Sequence, residues 1–319
     1  MQRRLIGMAV VGLLLPGAGA ALGQDYPTRP IRFVTSGVGG GNDRIAHELA
    51  QAIAGPLGQT VTVENHPGGI TPGEVVSKAP PDGHTVLVYN NTLWIGPLLQ
   101  DAKYDAARDF APISELARTP NVLVVNVTSP AKSVAELIAL AKSRPGELRY
   151  GASGTGAGNH LAGELFGAMA GVRIVPVNYK GIGGAIRDLM EDKLQLMFPT
   201  AVSGAPQVKA GKLRALGVTS AAPSALLPGV PPVAASGLPG YEAITLFCAF
   251  APAATPPAIV GRLNQEMVRY LTRADVKEKL FGAGMETVAG SPAQLAATMK
   301  AELTRMGKVI RDAGIRGGE

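Results

Sequence analysis

Two facing α/β units are the fold predicted by this chain of 319 residues. Three observations point there. The length corresponds to about two domains at roughly 150 residues each. Short β-branched runs alternate with helix-period runs along nearly the whole chain, and that alternation predicts a parallel sheet with helices on its faces. A strand-to-helix loop of the pattern G-x-G-x-x-N occurs twice, as Gly37-Val38-Gly39-Gly40-Gly41-Asn42 and as Gly154-Thr155-Gly156-Ala157-Gly158-Asn159, 117 residues apart. The helices they open continue as His-Glu-Leu and Gly-Glu-Leu, so the halves read as a pseudo-symmetric pair. Chance recurrence is the alternative, because Gly and Asn are common at such turns.

The elements follow in order. Residues 31–35 read as a buried strand, and residues 43–55 place Ile45, Leu49 and Ile53 at four-residue spacing, one apolar helix face. A second strand is expected over 61–64, a short helix over 74–79 and a third strand over 85–89. The same grammar continues with strands at 122–126, 149–151, 174–179 and 194–198 and helices at 134–143, 160–170 and 185–192. A strand over 216–220 precedes the Pro-rich stretch 222–240, which suits an extended connection. Residues 244–250 read as a strand, and helices follow over 256–271, 274–281 and 292–313. With one strand to support them, those last helices are expected to pack back on the first unit. The chain then crosses between units near Asn121 and near Phe247. That gives residues 24–121 plus 248–319 as domain 1 and 122–247 as domain 2.

Composition narrows the functional classes. Charged residues make up 17% of the chain, against about 25% in ordinary soluble domains, and hydrophobic residues 46%. Disorder and a solvated coiled coil are excluded. Residues 1–23 carry Arg3-Arg4, an apolar run over 5–15 and then small residues, the order of a cleaved signal peptide, with a core shorter than the ~20 residues of a membrane span. Export to the periplasm is therefore expected. Removing that leader leaves 28 basic against 24 acidic residues, a net +4 in place of +6. No basic run interleaved with aromatics accompanies this mild bias, so nucleic acid is not an expected partner. The single cysteine, Cys248, excludes a disulfide framework and reads as a small core residue.

The two glycine loops carry the chemistry. A loop between strand and helix exposes unpaired backbone N–H groups at the positive helix end, an anion site that needs no basic patch. Neither loop is a nucleotide fingerprint, because Asn42 and Asn159 stand where the last Gly should be. A carboxylate held between the loops by three or four donors, each contributing about 1.5–3 kcal/mol, reaches micromolar affinity after ordering losses. Ser153 and Thr155 add hydroxyl donors. The enzyme alternative is an exported hydrolase or other anion-processing enzyme: Gly151-Ala152-Ser153-Gly154-Thr155 approximates G-x-S-x-G but ends in Thr. His47, His66, His84 and His160 are scattered, so no metal or cofactor is expected, and His160 reads as a structural hydrogen-bonder. Trp94 reads equally as core or as a wall of the pocket.

Longer motifs in the same order carry a family resemblance. They are residues 151–166 (Gly151-Ala152-Ser153 to Glu164-Leu165-Phe166), Val177-Asn178-Tyr179-Lys180-Gly181 with Gly183-Gly184-Ala185, Leu196-Met197-Phe198, residues 212–220, residues 237–242 and residues 250–256. Through essentially the whole mature chain the sequence resembles the solute-binding proteins of tripartite tricarboxylate transporters, the Bug family. The resemblance implies a two-domain periplasmic-binding-protein clamshell, type II-like. Each domain would be a mainly parallel sheet flanked by helices, and two crossing strands would join them. It implies a receptor, not an enzyme, that captures a small mono-, di- or tricarboxylate, aliphatic or aromatic. A membrane permease is the implied partner, with a sensor protein as a further one, and a monomer is expected.

Mapped onto this chain, the implied site comprises Ser36, Gly37, Val38, Gly39, Gly40, Asn42 and Asp43 in the first loop. Ser153, Thr155, Gly156, Gly158 and Asn159 form the second loop. Asn90, Thr92, Tyr179, Lys180, Gly181, Pro199 and Thr200 complete the cleft. The chain departs from the family pattern at Thr35-Ser36, where Pro-Phe or Pro-Pro is usual, and at Pro199-Thr200, where Asp-Asn is frequent. Loss of that carboxylate removes a partner for a ligand ammonium, so an acid without a charged amine is the expected ligand.

Overall fold

The computed structural model describes residues 26–312 and Ile315; the expected leader over residues 1–23 lies outside them. Eleven strands are described: β1 (Ile31–Ser36), β2 (Val61–His66), β3 (Thr85–Asn90), β4 (Phe110–Pro120), β5 (Val122–Asn126), β6 (Arg149–Ala152), β7 (Val175–Asn178), β8 (Leu196–Met197), β9 (Leu213–Val218), β10 (Ile244–Pro252) and β11 (Glu286–Thr287). Among them run α1 (Gly41–Leu57), α2 (Thr71–Val76), α3 (Thr92–Ile95), α4 (Val134–Ser143), α5 (Gly158–Ala170), α6 (Ile182–Met190), α7 (Ala201–Lys209), α8 (Pro257–Leu271), α9 (Ala274–Gly282) and α10 (Pro292–Asp312). They build a six-stranded sheet in the order β11-β4-β10-β3-β1-β2 and a five-stranded sheet in the order β7-β6-β8-β5-β9.

Each sheet is mixed. Strands β2, β1 and β3 run parallel, as do β7, β6 and β8, which is the part that strand–helix alternation foresees. The rest are antiparallel: β10 to β3 and β4, β11 to β4, and β5 to β8 and β9. The reason lies in the connections. β4 runs through Asn121 directly into β5 of the other sheet, and β10 returns to the first, so these strands need no crossover helix and no parallel sense. β10 is paired with β4 from Ile244 onward.

Local chemistry sets the helices. In α1, Ile45, Leu49 and Ile53 are fully buried against Ile31 and Phe33, each burial contributing about 1.5–3 kcal/mol. Gly58, with φ +68°, ends it in the left-handed conformation. The last helices do pack on the larger sheet. Leu263 and Met267 of α8 and Leu280 of α9 share a core with Ile31 and Phe33, while Leu295, Met299 and Met306 of α10 join Trp94 and Phe250. Cys248 is buried in that second core, and burial pushes its thiol up.

The 11-residue β4 was not foreseen, because Pro112, Ser114, Glu115 and Arg118 break any apolar pattern. The hydroxyl partners lie elsewhere in the chain, and the ion pair lies within the strand. Ser114 Oγ donates to the Gly290 carbonyl at 2.8 Å, Thr119 Oγ1 to the Gly284 carbonyl at 2.7 Å, and Arg118 pairs with buried Glu115 at 2.8 Å. The helix α7 was also missed, since Ser203, Gly204 and Pro206 disfavour it. Gly204 is needed there: a Cβ would stand 2.6 Å from the Val122 side chain. The strand expected over 216–220 begins three residues earlier, at Leu213.

Candidate functional site

The repeated loop motif is a repeated structure. After β1, Asn42 Nδ2 donates to Ser36 Oγ at 2.9 Å; after β6, the equivalent Ser153 Oγ donates to Asn159 Oδ1 at 3.2 Å. Gly39 and Gly156 both take left-handed φ, +84° and +77°. The Gly39 N–H donates to Asp43 Oδ2 at 2.9 Å, and the Gly156 N–H donates to His160 Nδ1 at 3.4 Å. Four pairs of positions, each separated by 117 residues, thus brace two loops alike.

That bracing leaves the helix ends open. The caps of α1 and α5 are Gly40 and Ala157, which have no side chain able to accept a hydrogen bond. The first ladder bonds run from Arg44 N–H to the Gly40 carbonyl at 3.0 Å and from Leu161 N–H to the Ala157 carbonyl at 2.9 Å. The N–H groups of Gly41, Asn42 and Asp43, and of Gly158, Asn159 and His160, therefore precede the ladder. The caps of α6 and α7, Gly181 and Thr200, also make no side-chain capping bond. By contrast α4, whose first turn does not line the cavity described below, is capped by Ser133 Oγ, which accepts from the Glu136 N–H.

All four open ends meet at one cavity between the two sheets, with about 70 Å³ of room for the centres of water molecules, several times the ~10–15 Å³ that one water needs. Twelve of the expected site residues line it: Ser36, Gly37, Gly40 and Asn42; Asn90 and Thr92; Ser153, Gly158 and Asn159; Lys180 and Gly181; and Thr200. Among the described residues Lys180 is the one charged residue in the lining, which contains no described carboxylate. Asn42 Oδ1 is buried beside it without a partner among the described residues.

Seven expected residues lie outside the lining, for identifiable reasons. Val38 is 73% exposed on the loop's outer side. Gly39 and Asp43 are spent on each other, and Asp43 Oδ1 also accepts from Asn65 Nδ2 at 2.7 Å. Gly156 is held by His160, and the Thr155 carbonyl accepts from Gln100 Nε2 at 2.9 Å. Tyr179 turns its hydroxyl to Asp188 Oδ2 at 2.7 Å, and the Pro199 carbonyl accepts from Val122 N–H at 2.8 Å. Gly41 and Ala157 lie inside the two loops the sequence singles out, whereas sequence reasoning missed Gly68, Tyr89, Ile182, Ser203, Thr245 and Phe247. The turn Pro67-Gly68-Gly69 was the only available signal for Gly68. Nothing in a strand's apolar pattern marks Thr245 or Phe247. Gly41 matters through packing: a Cβ there would meet the Phe247 ring at 2.4 Å.

The units touch closely around the cavity. A Cβ on Gly37 would stand 2.9 Å from the Lys180 carbonyl oxygen, and one on Gly68 would stand 2.5 Å from that of Ser153. Trp94 is core: fully buried and edge-on to Phe250 at 6.1 Å between ring centres. Among the described residues no group of three or more His, Cys, Asp or Glu is placed to hold a metal, and no helix is long and apolar enough to cross a membrane.

His160 carries a pH signature. Burial lowers its imidazole to about 4, whereas in an unfolded chain it titrates near 6.5. Between those values the unfolded state binds the extra proton, so stability is complete above about pH 6.5 and falls as pH drops towards 4, by up to about 1.4 kcal/mol per pH unit. Burial raises the Glu164 carboxyl, which acts in the opposite sense. Melting curves from pH 7 to 5 are expected to fall more steeply for wild type than for His160→Asn, which keeps an acceptor and loses the titration. Parallel curves would refute the assignment.

Two α/β units joined by crossing segments and closing on a polar cleft walled by open helix ends make a periplasmic-binding-protein fold. The chain belongs to the tripartite tricarboxylate transporter family of receptors, which residues 45–315 match. It is 31% identical over 318 residues to the protein BugT of Bordetella pertussis, covering 97% of this chain and 98% of that one. Among solved structures, R. palustris Rpa4515 with adipate is 36% identical with a TM-score of 0.87, covering 92% of this chain and 99% of that one. MatC of Rhodopseudomonas palustris with bound malate is 27% identical with a TM-score of 0.86, covering 89% of this chain and all of that one (100%).

Proposed function

We propose that the chain is a periplasmic receptor that captures a small organic acid between its two domains and delivers it to the membrane permease of a tripartite transporter. Residues 24–121 with 248–319 form one domain and 122–247 the other, except that residues 244–247 already pair, as the start of β10, in the sheet of the first; cleavage of the leader frees a monomer. One observation carries the reading: four uncapped helix ends converge on a cavity lined, among the described residues, by a single cation and no carboxylate. Helix ends favour an anion by about 0.3–2 kcal/mol each, and several together recognise a carboxylate without an arginine clamp. The absence of a lining carboxylate among the described residues, with Pro199 where the family frequently has an Asp, disfavours a ligand ammonium. The proteins of similar structure that hold adipate and malate support an aliphatic di-acid as the ligand class. Ser153 Oγ has Asn159 Oδ1 as its partner, not an imidazole or a carboxylate, which favours capture over hydrolysis.

Native mass spectrometry of the purified protein is expected to show a co-purifying acid. Calorimetric titration is expected to find adipate or malate bound at least tenfold more tightly than aspartate or glutamate. Tighter binding of the amino acids would overturn the ligand class, and no binding of any carboxylate would overturn the function.

A further inference from the structure

We propose that Thr245 is a positioning residue that ties the ligand cavity to the joint between the domains, and that Asn121 is that joint. Thr245 lines the cavity from β10, is 2% exposed, and donates its hydroxyl to Asn121 Oδ1 at 2.9 Å. Asn121 is the single residue between β4 and β5, which belong to different sheets. It is 1% exposed and does not line the cavity.

Buried polar groups of both crossing segments meet at this residue. Its N–H donates to Thr219 Oγ1 at 2.7 Å, and its carbonyl accepts from Thr219 N–H at 2.9 Å. Thr219, just past β9, in turn donates its hydroxyl to the Ala243 carbonyl at 2.5 Å and accepts from the Ala243 N–H at 2.9 Å. Both threads that pass between the sheets are therefore knotted together by buried hydrogen bonds. Asn121 also forms an antiparallel bridge with Thr200, the cap of α7 and a lining residue. On its other side Thr245 Oγ1 supports the open end of α5, since a Cβ on Gly158 would stand 3.3 Å away.

A domain rotation has to deform these two threads, because they are the covalent links between the sheets. Buried hydrogen bonds resist that deformation, since an unmade one leaves a desolvated donor or acceptor. Thr245 is the member of the cluster that also faces the cavity, so the position of the α5 end against a ligand and the angle of the joint are set by one side chain. This role rests on the receptor function proposed above.

The test is Thr245→Val, which keeps the shape and removes the hydroxyl, leaving Asn121 Oδ1 unpaired. Hydrogen exchange at the amides of Asn121, Thr219 and Ala243 is expected to quicken about tenfold, while Phe33 and Val88 amides in β1 and β3 keep wild-type rates. Adipate affinity is expected to fall about tenfold, and Thr245→Ser to restore both exchange and affinity. Wild-type exchange at the three amides in the Val variant, equal acceleration in β1 and β3, or failure of Ser to restore would each overturn the proposal. Should wild type bind no adipate, the receptor reading loses its support, while the exchange comparison still decides the role of Thr245.

Discussion

Replacing Gly68 by alanine is expected to weaken acid binding about tenfold to a hundredfold while leaving the melting temperature of the ligand-free protein nearly unchanged. The added Cβ would stand 2.5 Å from the Ser153 carbonyl oxygen, closer than such atoms approach, and that oxygen is backbone and cannot swing aside. Gly68 belongs to the loop after β2, and Ser153 to the loop after β6, so the clash arises only where the two domains meet. Overpacking of this kind costs about 1–3 kcal/mol, which sets the range of affinity lost. Its φ is not left-handed, so alanine adds no backbone strain of its own.

Gly156→Val goes further, in the loop after β6 and just outside the cavity lining. Its Cβ would stand 2.9 Å from Gly96 Cα, and the φ of +77° costs a side chain about 1–2 kcal/mol more. Binding is expected to disappear while circular dichroism and cooperative melting persist. Titration with the best-bound acid checks both variants, and unchanged affinity in either would remove that loop from the site.

Trp94→Ala is expected to be the most damaging single change to the fold, at about 3–5 kcal/mol. Trp94 is fully buried among Leu93, Phe250 and the α10 side chains, in edge contact with Phe250, which itself meets Phe110 edge-on at 6.3 Å. Its indole N–H has no partner among the described residues, so Trp94→Phe, which removes that unpaired donor, is expected to cost less than alanine. The chain has one tryptophan, so its fluorescence reports this core. Emission is expected to be blue-shifted, resistant to acrylamide and indifferent to added acids. Ready quenching, or a melting temperature unchanged in the alanine variant, would contradict the placement.

Much of the cavity lining was legible because it is built from local chemistry. A glycine loop after a buried strand implies a sharp turn and an open helix end whatever surrounds it, so Ser36, Gly37, Gly40, Asn42, Ser153, Gly158 and Asn159 could be read directly. What could not be read was how the loops spend their own donors. Gly39 and Gly156 carry the same motif as their neighbours, yet their N–H groups are consumed by Asp43 and His160. Asp43 looked available as a ligand partner because its bond to Asn65 crosses from another strand.

By itself the sequence determined the alternation of strands and helices, the two equivalent loops, the low charge of the lining and the burial of Cys248. Each of these depends on periodicity or turn chemistry within a few residues. The tertiary structure decided the rest: the antiparallel half of each sheet, the polar strand β4, the core position of Trp94, and the entry of Gly68, Thr245 and Phe247 into the cavity wall. The physical reason is distance along the chain. Whether a buried polar group is satisfied, or a glycine is required, depends on atoms as remote as Gly290 is from Ser114 or Ser153 from Gly68, and those meet only when the packed domains bring them together.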